Sequence, residues 1–128
     1  MSNLEVAKEW FNVAQMDLSS AEYLRSMKPV PVEIICYHCQ QAAEKSLKGF
    51  LAFHGEAIQK THNLVLLNKL CLPFDLSFQS IENDCLTLTV YGVNVRYPFP
   101  IEIENSDMVS ALQSARRIGE FVHERLTP

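Results

Sequence analysis

Three cations stand where the chain could hold an anion. Lys45 and Lys48 are three residues apart and would point in neighbouring directions on a helix, and Arg96 lies far along the chain, two residues before Pro98. Asp17, His38, Gln41 and Glu44 are the polar groups able to support them. If the segments carrying these residues pack side by side, Lys45, Lys48 and Arg96 form a pocket for a phosphate held by charge-assisted hydrogen bonds, with Asp17 orienting one of the cations. The opposing expectation is that Asp17 and Glu44 neutralise the cations internally and leave a structural network. Glu44 and Lys48, at i and i+4, have the spacing of an exposed ion pair on a solvated face.

Asp17 falls between Ala14 and Ala21 on an otherwise apolar face, so burial would oblige it to find a base, and Lys48 or Arg96 could supply the charge. Arg96 could equally anchor the proline turn to a carboxylate. Cys36-x-x-Cys39, with Cys71 and Cys85 beyond, offers zinc-ligand types, yet the first two sit inside a helix without the tight turn of a zinc knuckle. The four cysteines are expected as free thiols acting as small hydrophobes, with no metal and no cofactor. His62 is expected to cap or brace a helix rather than act as a base. With only 4 Gly the chain has no glycine-rich phosphate loop, and no Gly-x-Ser-x-Gly or His-Glu-x-x-His string occurs.

The elements that must position these groups follow from apolar spacing. Trp10, Ala14, Leu18, Ala21 and Leu24 mark one face of a first helix ending before Lys28-Pro29, and Pro31 opens a second helix from about Val32 to Phe53, with Gly55 as its C-terminal cap. On that helix Ile35, Cys39, Ala42, Ala43, Ser46, Leu47 and Phe50 form the core side, and Tyr37, His38, Gln40, Gln41, Glu44, Lys45 and Lys48 the opposite one. The small residues Ala42, Ala43 and Ser46 would admit a close neighbour, which suits the central helix of a bundle. Thr61-His62-Asn63 introduces a short third helix stopped by Pro73. The run from Phe78 to Val95 reads both ways, because Leu86 to Tyr91 alternates like a strand while Phe78, Ile81, Cys85, Leu88 and Val95 keep helical spacing. Helix is expected, since a lone strand has no sheet to join. Asn105-Ser106-Asp107 caps a last helix carrying Val109, Leu112, Ala115, Ile118, Val122 and Leu126. The expected fold is all-α, an up-and-down four-helix bundle with an extra short helix, as one domain over residues 1–128.

Composition agrees with a packed chain and limits its partners. At 128 residues, 48% hydrophobic and 20% charged, it can bury one core and lacks the signature of disorder. A formal net charge of -4 gives no global attraction to polyanions, so any nucleic-acid binding must use a local patch. No apolar run suggests a membrane span, and the opening Met1-Ser2-Asn3-Leu4-Glu5 lacks a basic leader. No membrane association and a cytoplasmic location are therefore expected.

The string Tyr37-His38-Cys39-Gln40-Gln41-Ala42-Ala43-Glu44-Lys45-Ser46-Leu47-Lys48-Gly49 resembles the second helix of HEPN domains, in which two glutamines precede two small residues, Glu-Lys and a further Lys. Ala14-Gln15-Met16-Asp17-Leu18 with Ala21 resembles the first helix, Thr61-His62-Asn63-Leu64 the start of the third, Val95-Arg96-Tyr97-Pro98 the end of the fourth, and Ala111 to Leu126 the last. The resemblance spans about residues 4–126. It implies a helical bundle, a homodimer, nucleotide or RNA binding, and a minimal nucleotidyltransferase as partner in a two-component, toxin-antitoxin-like system. Active HEPN ribonucleases carry an Arg and a His separated by four to six intervening residues. Beyond Arg96 those positions hold Ile101, Glu102 and Ile103, so the motif is absent and no catalytic residue is expected. The reading is thus a non-catalytic HEPN-type binding module, with a degenerate ribonuclease toxin or a purely protein-binding adaptor as the alternatives.

Overall fold

Each helix start in the computed structural model, which describes residues 1–92 and 102–126, can be traced to local sequence. Helix α1 (Asn3–Leu24) begins where the Ser2 side chain accepts a hydrogen bond from the Glu5 N–H at 3.1 Å. Helix α2 (Val32–Phe53) follows Pro31 and closes at Gly55, whose φ of 75° puts it in the left-handed region. There the Gly55 N–H donates to the Ala52 carbonyl and the Glu56 N–H to the Leu51 carbonyl, each at 3.0 Å, the paired bonds of a Schellman cap. Asn63 caps α3 (Leu64–Cys71) by accepting from the Leu66 N–H. A 3-10 segment, Leu76–Ile81, starts at Asp75, which accepts from the Ser77 N–H, and leads into α4 (Glu82–Thr89). Helix α5 (Asn105–Glu124) opens with the Glu104 N–H donating to the Asp107 carboxylate at 2.9 Å.

The all-helical expectation holds, and the run that alternates like a strand is helical through Thr89. Its form differs from the single long helix expected from Phe78 onward. The first turns are 3-10 and the α-helical part is eight residues long, leaving three long helices, α1, α2 and α5, and two short ones among the described residues. Asp75 caps the first turn of this segment, accepting from the Ser77 N–H at 2.9 Å. Arg96, with the Pro98 and Pro100 break, lies outside the described residues.

Helix α2 is central, packed against α1, α3, α4 and α5. Small residues set its closest approach. Ala7, Ala14 and Ala21 line the buried side of α1, and a Cβ on Gly49 would stand 3.0 Å from Trp10 Cβ and 3.3 Å from the Ala7 carbonyl. Around α2 the core gathers Ile35, Leu47 and Phe50 with Leu64, Leu67, Leu88, Leu112, Ile118 and Val122. Phe50 meets Phe78 at 4.4 Å between ring centroids, and Phe78 meets Phe121 at 4.8 Å. All four cysteines are free and buried in this core, as expected. Burial pushes the Cys36, Cys39 and Cys85 thiols up to about 12 and raises Cys71 as well, which keeps them as inert apolar groups.

Candidate functional site

Because α2 is enclosed, part of the side expected to be solvated is buried. Gln40 is 0% exposed, Glu44 4% and Lys48 9%, so the Glu44–Lys48 ion pair forms with the expected spacing but inside the protein. This corrects the exposed-pair expectation. Apolar periodicity identifies the side of α2 that faces the core, and α1 together with the connector between α2 and α3 covers part of the other side.

Two carboxylates organise the polar strip. Asp17, on α1, reaches across to α2: its Oδ2 accepts from Lys45 Nζ at 2.6 Å and its Oδ1 from His38 Nδ1 at 3.0 Å. The cation on Asp17 is therefore Lys45, aided by His38, and not Lys48. Glu44 has a parallel set of partners. Its Oε2 accepts from Lys48 Nζ at 3.0 Å, and its Oε1 from His62 Nδ1 at 2.9 Å and Gln40 Nε2 at 3.3 Å. Gln40 Nε2 also donates to the His62 carbonyl at 3.0 Å, while its Oε1 accepts from Gln41 Nε2 at 2.7 Å. A Cβ on Gly92 would lie 3.0 Å from Gln40 Nε2, so the missing side chain in the turn after α4 leaves room for this amide.

An ionised carboxylate only accepts, so both imidazoles carry a proton on Nδ1, and in the neutral ring Nε2 is left as an acceptor. Asp17 and Glu44 offset Lys45 and Lys48 charge for charge, so the described strip has no surplus cation. Lys45 and Lys48, close in sequence, serve different carboxylates. His38, Gln41 and Lys45 are half-buried at the edge of the strip, whereas Lys48 lies under the connector beside Trp10, Ala57, Ile58 and Gln59. His62 and Gln40 were not singled out by sequence reasoning as members of the site. Both stand in the strings that carry the family resemblance, the signal that could have found them. Among the described residues no group of three or more His, Cys, Asp or Glu side chains is placed to hold a metal ion. None of their helices is long and apolar enough to cross a membrane.

Comparison with known proteins gives this geometry its family. The family model described as the HEPN domain matches residues 7–126. The chain belongs to the HEPN family. The crystal structure of TT1696 from Thermus thermophilus is similar with a TM-score of 0.80 and 27% identity, covering 92% of this chain and 96% of that one. An archaeal HEPN homologue, ST0689, has the same fold at a TM-score of 0.74 and 24% identity, over 94% of this chain and 98% of that one. No curated protein matches the chain. In this HEPN chain the resemblance-bearing string of α2 is the strip that Asp17 and His62 complete.

Proposed function

We propose that this HEPN protein is a non-catalytic binding module that takes the phosphate of a nucleotide or RNA on the polar strip of α2, and that a minimal nucleotidyltransferase is its partner. The observation that carries the reading is the clamping of Lys45 and Lys48 by Asp17 and Glu44 on the central helix. Ordered cations whose carboxylates can be exchanged for a ligand anion suit phosphate better than cations free in solvent, because their ordering entropy is already spent. Arg96, in the stretch of sequence after α4, is the additional cation this reading calls on. With Ile101, Glu102 and Ile103 at the spacing where the family's ribonucleases carry His, the sequence supplies no proton acceptor of that mechanism.

Titration of a nucleotide panel at low salt against wild type, Lys48→Ala and Arg96→Ala tests this. Micromolar binding by wild type, weakened in both variants, is expected. Negligible binding by all three, with only a stability loss in Lys48→Ala, leaves the strip as a structural network.

A second reading, self-association or contact with the partner protein, is favoured by the outer side of α1. Val13, Met16 and Tyr23 are exposed there, and Val6, Glu9, Trp10 and Val13 line an open concavity of about 310 Å³. Light scattering on wild type and Met16→Glu tests it, a dimer lost in the variant being the expected result.

A further inference from the structure

The connector between α2 and α3 lies over the most deeply buried charge pair of the molecule's polar strip. It leaves α2 at Gly55, in the left-handed conformation, and rejoins helix at Asn63. Ala57, Ile58 and Gln59 line, with Trp10 and Lys48, a narrow, partly open space of about 10 Å³, room for about one water. Within this stretch the backbone has little holding it. Among the described residues no N–H from Ala57 to Asn63 donates to a backbone carbonyl. Ile58 is mostly exposed instead of anchoring the segment in the core. What ties it to α2 is His62, whose Nδ1 donates to Glu44 Oε1 and whose carbonyl accepts from Gln40 Nε2.

A segment with exposed side chains, few backbone hydrogen bonds and one polar fastening has the physical marks of a local opening unit. We propose that residues 55–63 form a strap that opens about Gly55 and Asn63, with His62 as its latch, and that Glu44 holds Lys48 in place of the ligand anion until the strap opens. In the closed form Lys48 is about nine-tenths buried and its ammonium is held by Glu44. On opening, a phosphate oxygen replaces Glu44 Oε2 on Lys48 Nζ, while Gln40 keeps Glu44 Oε1. The ligand class is a phosphate or pyrophosphate group entering from the Trp10 side. This rests on the phosphate-binding reading of the strip and adds how the site is kept shut.

The chain's own lysines and its single tryptophan report the opening. Purified protein is acetylated with an amine-reactive ester and each lysine is followed by mass spectrometry, while iodide quenching is followed at Trp10, the one Trp in the chain. In wild type Lys48 should label far more slowly than the exposed Lys60 and Lys69. His62→Ala should raise Lys48 labelling at least about fivefold and make Trp10 more quenchable, with Lys45 unchanged, because local opening frees only what the strap covers. His62→Asn, which keeps a donor near the Nδ1 position, should stay close to wild type. Inorganic pyrophosphate should then slow Lys48 labelling in His62→Ala. Unchanged Lys48 labelling in His62→Ala, or Lys45 rising in step with it, would overturn the strap. A freed Lys48 that pyrophosphate does not protect would overturn the exchange of Glu44 for an anion. Pyrophosphate protection without nucleotide binding would remove only the nucleotide reading and leave the strap standing.

Discussion

Asp17 and Glu44 have nearly the same partners and occupy different physical situations. Each accepts from one lysine of α2 and from one imidazole Nδ1. Asp17 joins two helices, and its partners His38 and Lys45 keep about a quarter of their side-chain surface in water. Glu44 and Lys48 lie on one helix and keep less than a tenth of their side-chain surface in water, although the His62 ring that meets Glu44 is more than half exposed. Lower polarisability around the second pair strengthens its Coulomb attraction and raises the cost of leaving either member alone. Identical chemistry can therefore serve as a tie between helices in one place and as a charge reserve in another.

Removing one member of the buried pair is the sharpest way to break this comparison. Glu44→Ala leaves the Lys48 ammonium buried without its carboxylate and frees the His62 latch, and should cost about 3–5 kcal/mol in chemical denaturation. Replacing both members by apolar residues, Glu44→Leu with Lys48→Met, should be less harmful than Glu44→Ala alone, because no unpaired charge remains. A double variant as unstable as the single one would mean that the cost lies in lost packing and not in the charge. Asp17→Ala should cost less, about 1–2 kcal/mol, since water can reach the Lys45 and His38 left behind. Equal losses at Asp17 and Glu44 would erase the distinction drawn between them.

The same contrast shows what the sequence could disclose. Spacing of apolar residues located α2 and its core side, because hydropathy with a 3.6-residue period reports directly which face is buried. It also marked Asp17 as a carboxylate in need of a base. It could not choose Lys45 over Lys48 as that base, because the axial register of α1 against α2 is set by the contact of Gly49 with Ala7 and Trp10, and no periodicity encodes it. Nor could it show Glu44 and Lys48 as buried, since part of their cover comes from the irregular connector bearing His62. Asp84 was likewise invisible: it accepts from Arg117 Nη2 at 2.7 Å and from the Ser114 hydroxyl at 2.9 Å, a tie between α4 and α5 that needs the tertiary arrangement to be seen.

A third carboxylate extends the comparison toward solvent and into pH. Hydrogen bonds from Ser77, with Arg125 adding to them, hold the Asp75 carboxyl below its usual value near 3.8. A group lowered in the folded state contributes stability above its unfolded value, and loses it as pH falls through the folded one. Asp75→Asn should therefore lower stability at neutral pH, converge with wild type as pH falls below about 4, and so flatten the acid limb of the stability curve. An acid limb identical in wild type and variant would show that this carboxylate does not contribute.

The smallest effect belongs to the pair that closes the outer seam between α1 and α5. Arg116 Nε donates to Glu22 Oε1 at 2.7 Å, shorter than the Glu44–Lys48 contact, yet each side chain keeps about two fifths of its surface in water. Distance alone would rank this pair above the buried one. Solvent reverses the order, because high dielectric weakens the attraction and ordering two long side chains costs entropy. Arg116→Ala should lower stability by less than about 0.5 kcal/mol, and added salt should erase even that, since screening acts first on exposed pairs. Urea denaturation of wild type and variant at low and high salt measures both quantities. A salt-insensitive loss of the size expected for Glu44→Ala would show that contact length and not burial governs the ion pairs of this fold.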